Sequence, residues 1–227
     1  MNGDRATPVR VGGDSDWMKV SAGQGHVCAL RRSGSLWCWG RNTEGQVGIG
    51  GPSVPPDDQQ RVPRASGTQN VLARIDLGQD SACGVTGGGT LQCWGANNLR
   101  NFGVPEPVLY VPTQIGTRAD WMQVSADCFA TCAVTRSMEL HCAGRNTEGQ
   151  LGLGDNSDRD VLTRVGPERS WASVSAGRFH MRATSVDRKI WCTGRNAYGE
   201  LGKGDTVGTS TAVNVPSPGD LDPGNVQ

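Results

Sequence analysis

Leu36-Trp37-Cys38-Trp39-Gly40-Arg41-Asn42-Thr43-Glu44-Gly45-Gln46-Val47-Gly48 reads as a strand running into a Gly-punctuated turn, and the chain repeats it. The frame returns from Leu140 to Gly152 and from Ile190 to Gly202, and in looser form from Leu91 to Gly103. Gly40, Gly95, Gly144 and Gly194 lie 55, 49 and 50 residues apart. Each is followed eight residues on by another Gly (Gly48, Gly103, Gly152, Gly202) with no gap in any copy. Upstream of each frame stands a second shared element: Val20-Ser21-Ala22-Gly23, Ile75-Asp76-Leu77-Gly78, Val124-Ser125-Ala126-Asp127 and Val174-Ser175-Ala176-Gly177. Fixed-period self-similarity of this length marks a repeat architecture.

Working outward, each unit is short β structure. Runs such as Trp17–Val20 and Trp121–Val124 alternate large apolar with small or polar residues. Turns are marked at Arg32–Gly34, Gly87–Gly89 and Asp187–Arg188. No stretch carries a capped helical stripe. A unit of about 50 residues built from short strands and Gly turns has the size of one propeller blade. Such a unit cannot bury its own faces, so neighbours must stack. The expected fold is all-β, a β-propeller of four repeats at 7–54, 55–108, 109–158 and 159–215, with a flexible tail at 216–227. Five connecting strands are expected, at Thr7–Arg10, Arg61–Arg64, Tyr110–Ile115, Val161–Val165 and Thr211–Val215. The chain would then run from the middle of one repeat to the middle of another.

Composition narrows the function. The chain has 227 residues, 33 of them Gly, with 7 Trp against 2 Tyr and 3 Phe. Lys plus Arg and Asp plus Glu are each 22, so the formal net charge is zero and the basic field of a non-specific nucleic-acid binder is missing. No apolar run is long enough for a membrane span. Met1–Arg10 lacks the apolar core of a signal peptide.

The Val-Ser-Ala-Gly, Cys-Ala-Leu, Trp-Gly-Arg-Asn and Gly-Gln-Leu-Gly elements resemble the regulator of chromosome condensation repeat family over roughly residues 9 to 215. The resemblance implies a β-propeller, usually of seven blades. Seven such blades would need about 350 residues. Four cores therefore imply a fragment, a small closed ring, or an open arc completed by another chain; the family's curvature favours the open arc or fragment. Open blade edges would invite self-association. The family spans a guanine-nucleotide exchange factor, a photoreceptor and a secreted inhibitor of β-lactamases, so membership leaves the partner open. The photoreceptor's loop Trp is missing from all four units here.

Cys28/Cys38, Cys83/Cys93 and Cys132/Cys142 are each ten apart. If each pair faces across a hairpin, the same register sets Leu30 against Leu36, Val85 against Leu91 and Val134 against Leu140. Opposed residues at a non-hydrogen-bonded site are close enough for a disulfide. Zinc is the rival reading, but there is no Cys-x2-Cys pair and each unit offers two thiols. Cross-strand disulfides are expected, and with them an oxidising, extracytoplasmic compartment and a mature, trimmed or truncated chain. Arg182 replaces the first Cys of the fourth unit. That leaves Cys192 unpaired beside an extra Cys128 in the adjacent unit, and a bridge between these two is an open option.

Most candidate site residues recur from unit to unit, as scaffold positions do. His26 and His180 share a repeat position and read as recurrent hydrogen-bonding groups inside the blade; His141 sits at a face position. Recurrent Ser21, Ser125 and Ser175 read as scaffold, since a nucleophile occurs once. Asp155–Asp160 gathers oxygen ligands but lacks the Gly and closing Glu of a Ca²⁺ loop. No catalytic residue, metal site or cofactor is expected. The best lead is the loop between the first two strands of each unit. Its flanks repeat while its own residues vary: Gln24, then Gln79 and Asp80, then Cys128 and Phe129, then Arg178 and Phe179. A rigid scaffold with variable loops on one rim presents a binding surface, and Gln24, Gln79, Asp80, Phe129, Arg178 and Phe179 are its expected contacts with a protein partner. The expected function is a non-catalytic, exported interaction module. The alternatives are an exchange-factor-like regulator, and a propeller enzyme or secreted enzyme inhibitor.

Overall fold

The computed structural model describes residues 6–53, 59–66 and 71–216. Sixteen strands form four antiparallel sheets of four, and no helix occurs among the described residues. Sheet 1 holds β1 (Trp17–Ala22), β2 (His26–Arg31), β3 (Leu36–Arg41) and β4 (Gln59–Ala65). Sheet 2 holds β5 (Leu72–Leu77), β6 (Ser81–Thr86), β7 (Leu91–Ala96) and β8 (Val108–Gln114). Sheet 3 holds β9 (Trp121–Ala126), β10 (Ala130–Thr135), β11 (Leu140–Gly144) and β12 (Arg159–Val165). Sheet 4 holds β13 (Trp171–Ala176), β14 (His180–Ser185), β15 (Ile190–Gly194) and β16 (Thr209–Asn214). Each sheet is a meander in chain order, so each is one propeller blade.

The sheets are offset from the sequence repeats by one strand. The connecting segments expected after each Gly-Gln-Leu-Gly turn form β4, β8, β12 and β16, and each pairs with the strand before it. Thr7–Arg10, expected to be such a strand, is exposed and unpaired. It has no earlier blade among the described residues to donate a ladder, and a strand needs one. The expected repeat boundary at 54/55 and the tail beyond 216 lie outside the described residues.

The cores lie between blades. Cys28, Leu30, Leu36, Cys38 and Val47 of blade 1 pack on Leu72, Ile75, Ala82 and Trp94 of blade 2. The same layout joins blades 2 and 3 around Phe102, Trp121 and Val124, and blades 3 and 4 around Leu151, Trp171 and Met181. The innermost strands also touch in series, β1 to β5 to β9 to β13. Polar groups link them: Asp76 Oδ2 accepts from Ser125 Oγ at 2.9 Å and from Ala126 N at 3.0 Å. Ser125 Oγ in turn accepts from Ala176 N at 3.0 Å. Desolvation raises the Asp76 pKa against the pull of these bonds. Ser125 thus links three successive blades.

The arc is open, and its ends are sheet faces. Val20 is 65% exposed, whereas its repeat equivalents Ile75, Val124 and Val174 are 1, 5 and 4% exposed under the preceding blade. At the other end Ile190 is 43% exposed, while Leu36, Leu91 and Leu140 are at most 1%. The open blade edges expected from the sequence are therefore corrected to open faces. Neighbouring blades stack face to face, so it is a face that goes uncovered when a neighbour is missing.

Candidate functional site

The hairpin register aligns Cys28 with Cys38, Cys83 with Cys93 and Cys132 with Cys142. All three pairs are disulfide-bonded, with Cα–Cα distances of 4.2, 4.1 and 4.1 Å. Cys128 and Cys192 are free thiols, which corrects the bridge left open between them. Cys192 sits in mid-strand on β15 opposite Arg182, within its own hairpin. Cys128 lies in the loop leaving β9. Burial, aided by Asp127, pushes the Cys128 thiol up to about 12, and burial also raises that of Cys192. Neither is a poised nucleophile.

The four variable loops, 23–25, 78–80, 127–129 and 177–179, are held on one rim by the repeated glycines. Gly40, Gly95, Gly144 and Gly194 have φ of +106, +90, +109 and +108°. A Cβ on each would lie 2.4, 2.5, 2.3 and 2.4 Å from the carbonyl oxygen of Gly25, Asp80, Phe129 and Phe179. The left-handed turn and this close approach both demand Gly. Successive loops also touch: Gln24 N donates to Gln79 O at 3.3 Å, and Ser81 Oγ to Asp127 O at 3.3 Å.

The rim divides into two chemistries. Across blades 1 and 2, Asp80 accepts from Gln46 Nε2 at 3.1 Å and stands 3.7 Å from the Arg41 guanidinium. Gln79 is half-buried beside it, and Gln24 is exposed. Across blades 3 and 4, Phe129 and Phe179 pack with centroids 5.6 Å apart. The Arg178 guanidinium sits 5.1 Å from both rings. Arg145 lies 5.2 Å from Phe129, and Arg195 lies 5.7 Å from Phe179 and 5.3 Å from Tyr198. A groove of about 150 Å³ runs beside Phe129, lined by Asp80, Ala96, Leu99, Asn101 and Cys128. The Arg145, Arg195 and Tyr198 part of this cluster was missed in the sequence. Arg145 and Arg195 hold the Arg slot of the recurring Gly-Arg-Asn turn, and repetition alone does not mark them as rim residues.

The remaining candidates take structural roles. His141 Nε2 is 3.3 Å from Glu139, and its ring meets Trp121 edge-on at 5.5 Å. Glu139 is already engaged by Arg118 and Arg164 at 3.2 and 3.3 Å, and the His141 contact leads the effects that lower its pKa. The pair does not present the free carboxylates that a catalytic histidine there would need. In Asp155–Asp160, Asp155 binds Arg159, Asp158 accepts from Asn146 N at 2.7 Å and Asp160 pairs with Arg100. The loop caps the turn with its carboxylates occupied. No group of three or more metal-ligating side chains occurs among the described residues.

His26 departs from its expected hydrogen-bonding role. It is fully buried, and neither ring nitrogen has a partner. The ring fills the space left by Gly23, where a Cβ would fall 2.4 Å from Cε1. Desolvation lowers its pKa to about 4. In the unfolded chain the imidazole protonates near 6.5, so the folded state binds fewer protons between those values. Stability from this group is complete above pH 6.5 and falls as pH drops toward 4. Between pH 7 and 4.5 the wild type should lose roughly 2–3 kcal/mol more than His26→Gln. Urea midpoints at the two pH values check this, and equal losses would refute it.

Comparison with known proteins agrees with this architecture. Models of the regulator of chromosome condensation (RCC1) repeat match residues 19–46, and residues 33–85 and 139–183. The chain belongs to the regulator of chromosome condensation repeat family, a class of β-propellers. It is 30% identical over 165 residues to the ultraviolet-B receptor UVR8 of Arabidopsis thaliana, covering 69% of this chain and 36% of that protein. It is 25% identical over 153 residues to the human regulator of chromosome condensation, covering 66% of this chain and 36% of that protein. The chain thus spans about a third of these relatives' length. Among solved structures, Saccharomyces cerevisiae Prp20p superposes with a TM-score of 0.83 at 18% identity, over 94% of this chain and 54% of that one. Human WBSCR16 gives 0.79 at 18% identity, over 91% and 54%. These two likenesses establish the fold.

Proposed function

We propose that the chain is a non-catalytic protein-interaction module that docks a protein partner on the loop rim of blades 3 and 4. The observation carrying this is the Phe129–Phe179 pair with its three stacked guanidiniums, in loops that vary while their supports repeat. Aromatic and Arg side chains dominate interface energetics, and here they sit on a braced scaffold. The test is affinity capture with the wild-type chain and with Phe129→Ala/Phe179→Ala, followed by direct binding of the captured protein. Loss with the rim variant, but not with Val62→Ser on exposed β4, supports the reading. Equal binding by all three rejects it.

We further propose that the module works outside the cytosol, which the three cross-strand disulfides support. In denaturant without reductant, the native protein isolated with thiols trapped should titrate two thiols, Cys128 and Cys192. Six or more would overturn the exported assignment.

A further inference from the structure

The repeat supplies an internal control for the rim. At the step from blade 1 to blade 2, the buried Gln46 amide is fully used. Its Oε1 accepts from Glu44 N at 2.8 Å and its Nε2 donates to Asp80 at 3.1 Å. Arg41, 3.7 Å away, completes a carboxylate site occupied by the chain's own Asp80.

The step from blade 3 to blade 4 has the same parts without the carboxylate. Gln150 is 1% exposed, and its Oε1 accepts from Glu148 N at 3.0 Å, as in blade 1. Its Nε2 is buried with no partner. Arg145 stands in the place of Arg41, and Phe179 in the place of Asp80. The step from blade 2 to blade 3 repeats the omission. Asn101 takes the Gln position, 1% exposed, with its Nδ2 unpartnered, and Phe129 replaces the Asp. Buried amide donors normally find an acceptor, so two orphans at one repeat position are informative. Arg145, Arg178 and Arg195 make no ion pair among the described residues; they stack on Phe129 and Phe179 instead.

We propose that this rim receives an acidic segment of the partner protein, whose carboxylates take the place that Asp80 fills between blades 1 and 2. This rests on the docking role proposed above and names its chemistry. Guanidiniums packed against phenyl rings and free of ion pairs retain N–H donors that suit carboxylates. The unused Asn101 N–H adds a donor at the groove beside Phe129, which Asn101 lines, and the Gln150 N–H is a second unused donor at the equivalent position one blade on. Nucleic acid fits less well. The chain carries no net charge, so it lacks the extended basic field that tracks a phosphate backbone.

Fluorescence anisotropy tests this with a fluorescein-labelled oligoglutamate, an oligolysine of equal length and single-stranded oligothymidylate. The oligoglutamate should bind saturably, and more weakly as salt rises. Arg145→Ala/Arg178→Ala should weaken it roughly tenfold or more. Phe179→Asp, which rebuilds the internal carboxylate, should do the same while leaving the fold intact by circular dichroism. Arg118→Ala, outside the rim loops, should bind as wild type. Absence of oligoglutamate binding, indifference to the rim substitutions, or tighter binding of oligothymidylate through the same arginines would overturn the acidic assignment. If the Phe129→Ala/Phe179→Ala variant still loses its captured partner, the docking role survives that failure and the chemistry alone is wrong.

Discussion

Trp94→Ala should cost about 3–5 kcal/mol, while Trp39→Ala, at the same position one blade earlier, should cost far less. Both tryptophans occupy the third strand of a blade, opposite Val27 in blade 1 and Ala82 in blade 2. Trp94 is completely buried in the core between blades 1 and 2 and donates from Nε1 to Gln46 O at 3.0 Å. Its loss leaves an indole-sized cavity and an unsatisfied carbonyl beneath the rim, and both penalties add. Trp39 is half-exposed, because it faces the side where no earlier blade covers sheet 1. Urea unfolding of the two variants beside wild type gives the comparison. Equal costs would mean that blade position does not govern burial, and would contradict the open-arc arrangement.

That contrast marks how far sequence reading carries. The blade fold was legible because positive-φ glycines recur at fixed spacing, and spacing survives in a string of letters. The hairpin register was legible for the same reason, since ten-residue Cys separations and Leu pairs define one alignment. Contacts between blades were not. Trp39 and Trp94 look identical in sequence, and only stacking distinguishes them. Phe129 and Phe179 were picked out singly as loop variants, yet their pairing and the convergence of Arg145, Arg178 and Arg195 arise only when blades 3 and 4 are laid together. The orphaned amides of Asn101 and Gln150 are harder still, because an unmade hydrogen bond has no sequence signature. His26 was misread because recurrence suggested bonding, whereas the ring is used for its volume against Gly23.

Arg182→Cys should form a fourth cross-strand disulfide with Cys192 and raise stability by about 2–3 kcal/mol. Arg182 is the direct register partner of Cys192, just as Cys132 is of Cys142 in the preceding blade. The three existing bridges span Cα–Cα distances of 4.1–4.2 Å across this site, so the backbone already has the required form. The native Arg is explained by its surroundings. In blades 1 to 3 the cysteine face lies under the next blade, but in blade 4 Arg182 and Ile190 on that end of the arc are exposed, while Cys192 stays buried. A polar outer face suits the end of a stacked array. The variant should titrate one thiol, Cys128, instead of two, and its thermal midpoint should rise by roughly 5–10 °C, an increase that reductant abolishes. Arg182→Ser separates the bridge from mere loss of charge and should show no such rise. If the new cysteine stays reduced under oxidising refolding, the blade 4 hairpin does not hold the register of its neighbours. If it bridges without raising the midpoint, the disulfides of this chain do not stabilise their blades by restricting the unfolded state.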